Sequence, residues 1–324
     1  SAASDVYKRQ IQMLDENVDL YKDALEKLDI HPDDFIRTTD QKRHWPVAQE
    51  VWRRMAKKWD IYKKSYTGLY CEGCEVFLTD KDMDEDGNCV HHHKPPKEVE
   101  EENYFFKLSA YEDFLRDKIS SDEIHIHPDF RKNEMLAFID QWLEDVSFSR
   151  QRKTMPWGIP VPDDDEHVMY VWCDALTNYL TGAGFLRDDE LFEKYGQAFV
   201  HIIGKDISRF HCLFYQAMLE SADLPVSRNL LVHGFVMSGW HRLSKTLGNA
   251  LDPIEMSEKY GSDAVKFFIG TAVGVGKDID YTEEWFHAVY TDQLANNYGN
   301  YVNRSITLFL KSFPDGIDTQ KLEY

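Results

Sequence analysis

Two cations, Arg242 and Lys245, lie three residues apart in a short polar run at residues 240–249. The run ends in Gly-Asn and follows an apolar segment, residues 230–236, whose pattern predicts a buried strand and a turn. Positioned cations on a mobile loop suit attack at a phosphorus of ATP, because charge then develops on the phosphate oxygens. The alternative interpretation is a solvated basic loop.

Four potential zinc ligands form two pairs, each with two intervening residues: Cys71, Cys74, Cys89 and His92. Three sulfurs and one nitrogen at this spacing are typical of a tetrahedral structural zinc site, which stabilises a small domain and does no chemistry. The alternative is three free thiols beside surface histidines. His91 and His93 flank the fourth position, so all three histidines stay open as ligands, although the two-residue gap favours His92.

A strand-to-helix junction at residues 203–211 contains Gly204, Lys205 and Asp206. A glycine there lets a nucleotide approach the backbone, and a carboxylate can accept hydrogen bonds from ribose hydroxyls. The alternative role for Asp206 is an ordinary helix N-cap.

The apolar pattern predicts the elements that position these residues. Predicted helices cover residues 6–28, 39–58 and 207–219, and predicted strands cover residues 168–172, 199–203 and 230–236. The second helix buries Val47, Val51 and Met55, and the acidic residues 163–166 are expected in a solvated loop. Strand and helix alternate, which predicts a parallel α/β sheet with ligands at the carboxyl ends of its strands.

Composition limits the classes of protein that fit. The chain has 324 residues, of which 43% are hydrophobic and 14% aromatic, so an intrinsically disordered chain is excluded. The net charge of −20 disfavours non-specific binding to nucleic acid, because the phosphate backbone is also negative. A local basic face can still bind RNA. Three of the five cysteines cluster at metal-ligand spacing, which favours a reducing compartment over a disulfide scaffold.

Taken together, and in their order along the chain, the motifs resemble those of the methionyl-tRNA synthetase family, bacterial type, among class I aminoacyl-tRNA synthetases. Residues 242–246 are similar to its KMSKS loop, with Arg242 at the first Lys and Thr246 at the final Ser. Residues 203–211 resemble its GKD element and residues 170–179 its YVWxDA element. The segment around the cysteine pairs resembles its connective-peptide insertion.

The resemblance implies roles for individual residues. Catalytic cations would be Arg242 and Lys245. ATP contacts would come from Gly204, Asp206, Val236 and Lys245. Methionine contacts would come from Trp172, Ala175, Leu176, Tyr179, Ile207 and His211. The alternative for the aromatic residues is core packing, and a neutral donor from Tyr179 or His211 would recognise sulfur weakly.

Two further sets of residues follow from the resemblance. Arg150, in a Phe-Ser-Arg run, would be an active-site cation, although Arg152 and Lys153 follow closely. Asn300 and Arg304 lie four residues apart on a predicted helix and would contact anticodon bases. Their alternative is a solvated polar helix face.

The implied fold is α/β, an incomplete Rossmann-like parallel sheet of the class I synthetases with a zinc-knuckle connective-peptide insertion and the start of a C-terminal helical bundle. The implied domains are a remnant of the first catalytic half at 1–58, the zinc-bearing insertion at 59–165, the second catalytic half at 166–237, the KMSKS-like loop and stem-contact region at 238–290, and the start of the anticodon-binding bundle at 291–324. Residues 1–10 resemble translated adapter sequence. The family's HxGH element does not occur in the sequence, so we expect an N-terminally truncated fragment that is inactive alone.

The implied activity of the parent protein is ATP-dependent formation of methionyl-adenylate and transfer of methionine to tRNA(Met), including the initiator tRNA. Mg²⁺ would accompany ATP, one Zn²⁺ would be structural, and the protein would be cytoplasmic, with no membrane or DNA partner. One alternative is another class I synthetase, for valine, isoleucine, leucine or cysteine. The other alternative is a non-catalytic, zinc-bearing RNA-binding fragment.

Overall fold

The computed structural model describes residues 2–71, 76–78, 83–84, 86–90, 94–141, 143–196, 200–242, 252–272 and 274–317. Its contacts divide the chain into two compact units. The discontinuous unit comprises Ser1–Asp33 and His233–Tyr324, and the central unit comprises Asp34–Val232. Within the described residues, none of the helices combines the length and the apolar character that crossing a bilayer requires.

The elements are numbered along the chain. The helices are α1 (Ala2–Lys27), α2 (Trp45–Lys57), α3 (Glu112–Ser120), α4 (Asp129–Ile139), α5 (Val171–Ala175), α6 (Asn178–Gly182), α7 (Asp189–Tyr195), α8 (Tyr215–Ser221), α9 (Pro253–Tyr260), α10 (Ser262–Ala272), α11 (Glu283–Ala288) and α12 (Gly299–Ser312). The strands are β1 (Ile61–Cys71), β2 (Val76–Leu78), β3 (Lys97–Phe106), β4 (His125–His127), β5 (Val146–Ser147), β6 (Ser149–Gln151), β7 (Pro160–Val161), β8 (Asp164–Met169), β9 (Val200–Gly204), β10 (Asn229–His233), β11 (Val236–Ser238), β12 (His241–Arg242) and β13 (Ile279–Asp280).

Helix α2 anchors the core of the central unit. It buries Val47, Val51 and Met55, as predicted, because these residues recur on one face of the helix. The predicted start at residue 39 or 40 is wrong for the α-helix, which begins at Trp45. Asp40 instead accepts hydrogen bonds from backbone N–H groups of the preceding turn, and a proline occupies the first helical turn, where its missing N–H costs nothing.

A parallel pair of strands supports the predicted α/β class. In a sheet of order β4-β10-β9, β10 runs parallel to β4 with Leu230 opposite Ile126. Strand β4 was not predicted, and it lies within residues 59–165, the range assigned to the insertion. The apolar pattern of residues 199–203 indicates a buried strand, but β9 alternates: His201 and Ile203 are buried while Val200 and Ile202 are exposed.

The prediction that residues 168–172 belong to the parallel sheet is wrong. Strand β8 pairs antiparallel with β6 and β7. Val171 and Trp172 begin helix α5, because a short apolar run fits a strand or a buried helix equally well. The acidic loop expected at residues 163–166 is also only partly correct, since Asp163 forms the turn at φ 63° and Asp164 already belongs to β8.

The longest strands form an antiparallel ribbon in the central unit. Strands β1 and β3 pair from Ile61 opposite Phe106 to Tyr70 opposite Lys97, and β2 and β5 extend this sheet at its edges. Phe106 lies fully buried and stacks on Phe148 at 5.0 Å between ring centroids. This contact joins the ribbon to the core cluster that contains α2.

The discontinuous unit has its own smaller core. Leu28 packs against its buried residues, which come from α9, α10, α11 and the π-helical segment Val289–Tyr298: Met256, Ala264, Val265, Phe268, Phe286 and Val289. The Ser257 hydroxyl donates to the carbonyl of Lys27 at 3.2 Å, which ties α9 to the end of α1. The short sheet of order β12-β11-β13 belongs to the same unit.

Candidate functional site

A tyrosine and a histidine from two elements meet in the central unit. Tyr179 lies on α6, and His211 lies in a π-helical turn at Phe210–Phe214. The Tyr179 hydroxyl is 2.8 Å from His211 Nε2, and His211 Nδ1 is 2.9 Å from the carbonyl of Ile207. Because a carbonyl only accepts, Nδ1 carries the hydrogen, and a neutral ring then accepts from Tyr179 through Nε2.

Burial keeps both groups of this pair neutral. It lowers the pKa of His211 below its ordinary value and raises the pKa of Tyr179 above its ordinary value. The two expected sulfur donors are therefore engaged: the His211 N–H with Ile207 and the Tyr179 O–H with His211. Either would have to break its hydrogen bond before donating to a ligand.

Aromatic rings surround the pair. Trp172 on α5 stacks on Phe210 with centroids 4.0 Å apart and an interplanar angle of 10°. The same indole is edge-on to His211 at 6.3 Å. The structure thus brings together Trp172, Tyr179, Ile207 and His211, as the sequence predicted.

The other two predicted pocket residues lie at the end of α5, which Ala175 completes and Leu176 caps. Ala175 is half-buried and its carbonyl accepts a hydrogen bond from Asn178 at 3.1 Å. Leu176 is 1% exposed and belongs to the core cluster of the central unit. For Leu176, core packing therefore accounts for its position without a ligand.

Sequence reasoning missed His44, which ties the aromatic elements together. Its ring is fully buried, with Nε2 2.7 Å from Asp174 Oδ1 and Nδ1 3.0 Å from Thr181 Oγ1. It therefore joins the start of α2 to α5 and α6, which carry Trp172 and Tyr179. No motif marks His44, because Asp174 lies 130 residues further along the chain.

Asp206 follows the end of strand β9 and is exposed. The 3₁₀ turn at Lys205–Ile207 has Gly204 at its N-cap position, so Asp206 lies inside the turn and the N-cap interpretation does not hold. The Ser208 hydroxyl donates to the Lys205 carbonyl at 2.8 Å and closes the turn. An exposed carboxylate at the carboxyl end of a strand is suited to bind a polar ligand.

Arg150 differs from the basic residues that follow it. Its guanidinium lies over the Tyr170 ring at 4.2 Å and donates to Ser147 Oγ at 3.0 Å and to the Ser149 carbonyl at 2.7 Å. Burial lowers its pKa, and the nearby carboxylate of Glu101 opposes that shift. Arg152 is exposed and bonds only to a backbone carbonyl among its described contacts.

The KMSKS-like run begins on a hairpin of the discontinuous unit. Met237 of β11 lies opposite Arg242 of β12, and the half-buried Val236 lies opposite Ile279 of β13. Gly239 and Trp240 make the tight turn, both with positive φ. Arg242 is placed by its backbone only, and Lys245 lies outside the described residues.

The predicted zinc ligands fall partly outside the described residues. Cys74 and His92 lie outside them, and Cys71 is placed by its backbone, opposite Val76 in the β1–β2 pair. Cys89 is fully buried, and its N–H donates to the Lys94 carbonyl at 3.0 Å. Within the described part of the chain, no three potential ligands gather.

The predicted anticodon residues lie on α12. Asn300 and Arg304 are both exposed, and their spacing of four residues puts them on one face of the helix. None of the residues of α12 is buried.

Comparisons with known proteins agree on one family. The chain matches the family model described as tRNA synthetases class I (M) over residues 2–95 and 82–306. It is 40% identical over 318 residues to a methionine–tRNA ligase of Thermotoga maritima, covering 97% of this chain and 50% of that protein. It is 39% identical over 304 residues to the Brucella suis enzyme, covering 93% of this chain and 58% of that protein.

Solved structures give the same result. Mycobacterium tuberculosis methionyl-tRNA synthetase bound by methionyl-adenylate superposes with a TM-score of 0.81 at 40% identity, over 93% of this chain and 59% of that one. Its apo form gives a TM-score of 0.79 at 38% identity, over 95% and 60%. The chain spans about half the length of the curated relatives it matches.

Proposed function

Because the chain belongs to the family of class I tRNA synthetases (M) and has its α/β fold, we propose that the whole protein is a methionine–tRNA ligase. The observation that carries the proposal is the cluster of Trp172, Tyr179, Ile207 and His211 at the side of β9. They are four of the six residues that the family resemblance assigns to methionine.

The proposed reaction has two steps. A carboxylate oxygen of methionine attacks the α-phosphorus of ATP, which forms methionyl-adenylate and releases pyrophosphate. A terminal ribose hydroxyl of tRNA(Met) then attacks the acyl carbon, and AMP leaves. Neither step needs a nucleophile from the protein, so the work of the chain is positioning and stabilisation of charge.

The aromatic cluster supplies the side-chain pocket. A thioether is polarizable and packs favourably against aromatic rings, which Trp172 and Tyr179 provide. Because Tyr179 and His211 are hydrogen-bonded to each other, recognition rests first on packing. Ile207, Ala175 and Leu176 complete the apolar surroundings in this proposal.

Nucleotide binding draws on the turn after β9 and on the KMSKS-like run. The exposed Asp206 carboxylate would accept hydrogen bonds from the ribose, and Gly204 leaves room for close approach of the nucleotide. Val236 would contact ATP, and Lys245 and Arg242 would stabilise the charge on the phosphates. Bound Mg²⁺ would neutralise further phosphate charge.

Arg150 is proposed as an additional active-site cation. Its stacking on Tyr170 and its two hydrogen bonds hold the guanidinium in one orientation. A fixed, partly desolvated cation interacts more strongly with an anionic ligand than a solvated one does.

The cysteine pairs would hold one structural zinc. Two features of the described backbone support this proposal: Cys71 is the last residue of β1, opposite Val76, and the Cys89 N–H donates to the Lys94 carbonyl. Gly87, at φ 77°, allows the chain to turn beside Cys89. Cys71, Cys74, Cys89 and His92 would bind the ion, and the ion would stabilise an insertion at residues 59–165.

Binding of tRNA is assigned to the end of the chain. Asn300 and Arg304 would contact anticodon bases of tRNA(Met), including the initiator, from the start of a helical bundle at residues 291–324. A local face of this kind is needed because the net charge of −20 disfavours non-specific RNA binding. We also propose that the protein is cytoplasmic. The proposed domains of the chain end at residues 58, 165, 237 and 290.

The test is ATP–pyrophosphate exchange by the whole protein with a panel of amino acids. We expect exchange that depends on methionine and is much weaker with valine, isoleucine, leucine and cysteine. Stronger exchange with one of the other four would show a different class I synthetase. RNA binding without exchange for any amino acid would show a binding protein and reject the proposal.

A further inference from the structure

The Tyr179–His211 pair belongs to a closed circuit, by which we mean a network of contacts that returns to its starting residue. The network includes three residues to which the proposed function gives no role. They are His201 on β9, Gln216 on α8, and Ser227 before β10. All three are polar and almost completely buried, with exposures of 3%, 0% and 3%. Buried polar side chains of this kind are costly unless their hydrogen bonds are satisfied.

The first half of the circuit runs from His211 to Ser227. The backbone of residues 210–214 is wound as a π-helix, in which the Tyr215 N–H bonds to the Phe210 carbonyl. The Gln216 side-chain amide donates to the carbonyl of His211 at 2.8 Å. The Gln216 side-chain carbonyl accepts from the Ser227 backbone N–H at 2.9 Å.

The second half returns from Ser227 to Tyr179. The Ser227 hydroxyl is 2.8 Å from His201 Nε2. The His201 ring then meets the Tyr179 ring at 4.3 Å between centroids and an angle of 89°. Tyr179 is thus fixed at both ends, by the hydrogen bond of its hydroxyl to His211 and by the perpendicular contact of its ring with His201.

We propose that His201, Ser227 and Gln216 are positioning residues that fix the orientation of Tyr179 and His211 and thereby determine the discrimination of methionine from amino acids of similar shape. This inference rests on the proposed function of the same pocket. Because each hydrogen-bonding group is satisfied by the next, moving one member leaves a buried polar group unpaired. The aromatic pair therefore has a single favourable arrangement.

The charge state of His201 is consistent with a positioning role. Burial, and then the neighbouring His211, lower the pKa of His201 to about 4. The ring is therefore neutral near pH 7 and holds its contact with Tyr179 without adding charge to the pocket. A neutral pocket suits an uncharged thioether.

The test compares His201→Asn with His125→Asn in the whole protein. The asparagine at 201 removes the ring that contacts Tyr179, and it also shortens the reach toward Ser227, because its amide lies near the position of Nδ1 and not of Nε2. His125 lies on β4 of the same sheet with an exposed side chain, so it serves as a matched control. Calorimetry gives the methionine Kd, and pyrophosphate exchange gives KM values for methionine, for ATP and for norleucine, which has a methylene in place of sulfur.

For His201→Asn we expect the methionine Kd and KM to rise about tenfold, as for a misplaced binding group. The preference for methionine over norleucine should fall, and the ATP KM should stay within about twofold of the wild-type value. His125→Asn should change none of these values. Ser227→Ala keeps both rings and should shift the same quantities in the same direction by less, which covers the case in which His201→Asn fails to fold.

Two outcomes would overturn the inference. In the first, folded His201→Asn or Ser227→Ala keeps the wild-type preference for methionine over norleucine. In the second, the KM values for methionine and ATP rise together, which indicates general loosening. Wild-type protein that shows no methionine-dependent exchange would instead reject the proposed function itself.

Discussion

At the scale of single residues, His211→Ala tests the proposed methionine pocket. His211→Ala removes the acceptor of the Tyr179 hydroxyl and one wall of the aromatic cluster. We expect the methionine KM to rise by about tenfold or more, equivalent to about 1–3 kcal/mol, with the ATP KM nearly unchanged. Steady-state pyrophosphate exchange measures both values, with His125→Ala as the control. Equal losses for both substrates would show that His211 does not belong to the methionine pocket.

The Asp164 carboxylate is held in its charged form by hydrogen bonds from several neighbouring groups. Lys63 Nζ, the Tyr104 hydroxyl and the Glu166 N–H lie 2.9 Å from its carboxylate, and His167 Nδ1 lies 3.1 Å away. Burial alone would raise the pKa of Asp164, but these hydrogen bonds outweigh burial and hold it well below its ordinary range. The charged carboxylate therefore joins β1, β3 and β8.

Asp164→Asn should lower the free energy of unfolding by about 2–3 kcal/mol at pH 7, since hydrogen bonds to charged groups are lost. A carboxyl whose folded pKa is depressed stabilises fully above its unfolded pKa of about 3.9, and this stabilisation is lost as the pH falls through the folded pKa. The difference between wild type and variant should thus be smaller at pH 3 than at pH 7. Urea unfolding at both pH values measures it, and the exposed Asp165→Asn is the control. A difference that did not depend on pH would contradict the assigned charge.

The sequence could predict the residues that belong to motifs. It could not predict the buried polar residues that hold those motif residues in place. Trp172, Tyr179, Ile207 and His211 lie together as expected, because each falls in a short segment with a family pattern. His44, His201 and Gln216 lie outside such patterns, and the partners of His44 are more than one hundred residues away along the chain. A buried polar contact of this kind depends on tertiary packing, which local spacing does not encode.

At the scale of elements, Gly234 sets the approach of two strands in the discontinuous unit. A Cβ at this position would lie 2.1 Å from the Lys277 carbonyl oxygen and 2.6 Å from the Asp278 N–H nitrogen. Both are backbone atoms, which cannot rotate away. The glycine therefore allows the Phe235 carbonyl to accept from Ile279 at 2.9 Å and β11 to pair with β13.

Gly234→Ala should destabilise the unit by about 1–3 kcal/mol through overpacking. It should also raise hydrogen exchange in β11 and β12, the hairpin that leads to the KMSKS-like run. The matched control is Gly270→Ala, on an exposed position of α10 with no atom within 4 Å of the added Cβ. That change should be neutral or should stabilise the helix by up to about 1 kcal/mol. Equal effects of the two alanines would show that the close approach at Gly234 is unimportant.

Periodicity predicted several elements and missed others. Helix α1 and strands β9 and β10 exist close to their predicted ranges, and α2 ends where predicted but begins later, whereas the longest strands, β1 and β3, were not predicted. Residues 168–172 divide between β8 and α5, since five apolar residues do not distinguish strand from helix. The π-helical turn at Phe210–Phe214 was missed because its one-residue excess leaves the apolar pattern nearly unchanged.

At the scale of the whole molecule, the two units have separate cores. A variant that destabilises one unit should therefore raise hydrogen exchange in that unit alone. We expect dialysed protein to retain about one zinc per chain, and Cys74→Ser to lose it. Hydrogen exchange should then rise in β1 and β3 and stay unchanged in α9 and α10. Elemental analysis and exchange mass spectrometry measure these quantities.

The control for metal loss is Cys212→Ala, which removes a buried cysteine of the central core. This variant should lose stability and keep its zinc. Wild-type protein with far less than one equivalent would contradict the zinc assignment. Exchange that rose equally in both units after Cys74→Ser would contradict a local structural role.

The class of fold followed from alternation of strands and helices, but the division into units did not. Residues 1–33 associate with residues 233–324, and contacts such as Lys266 with Asp29 at 3.4 Å join segments more than two hundred positions apart. Contacts of this kind depend on tertiary packing, and local patterns in the sequence do not record them. The pairing of β4 with β10 was missed for the same reason.

Because the discontinuous unit is built from both ends of the chain, it affects the order in which the units can fold during translation. A ribosome releases the chain from its first residue at about 5–20 residues per second, so the roughly 200 residues of Asp34–Val232 take about 10–40 seconds to appear. Throughout that interval α1 exists without α9 and α10, the helices that its end later contacts. The central unit can therefore finish its core during translation, while the other unit stays open until its last helices are made. A chaperone has its longest access to α1 in those seconds.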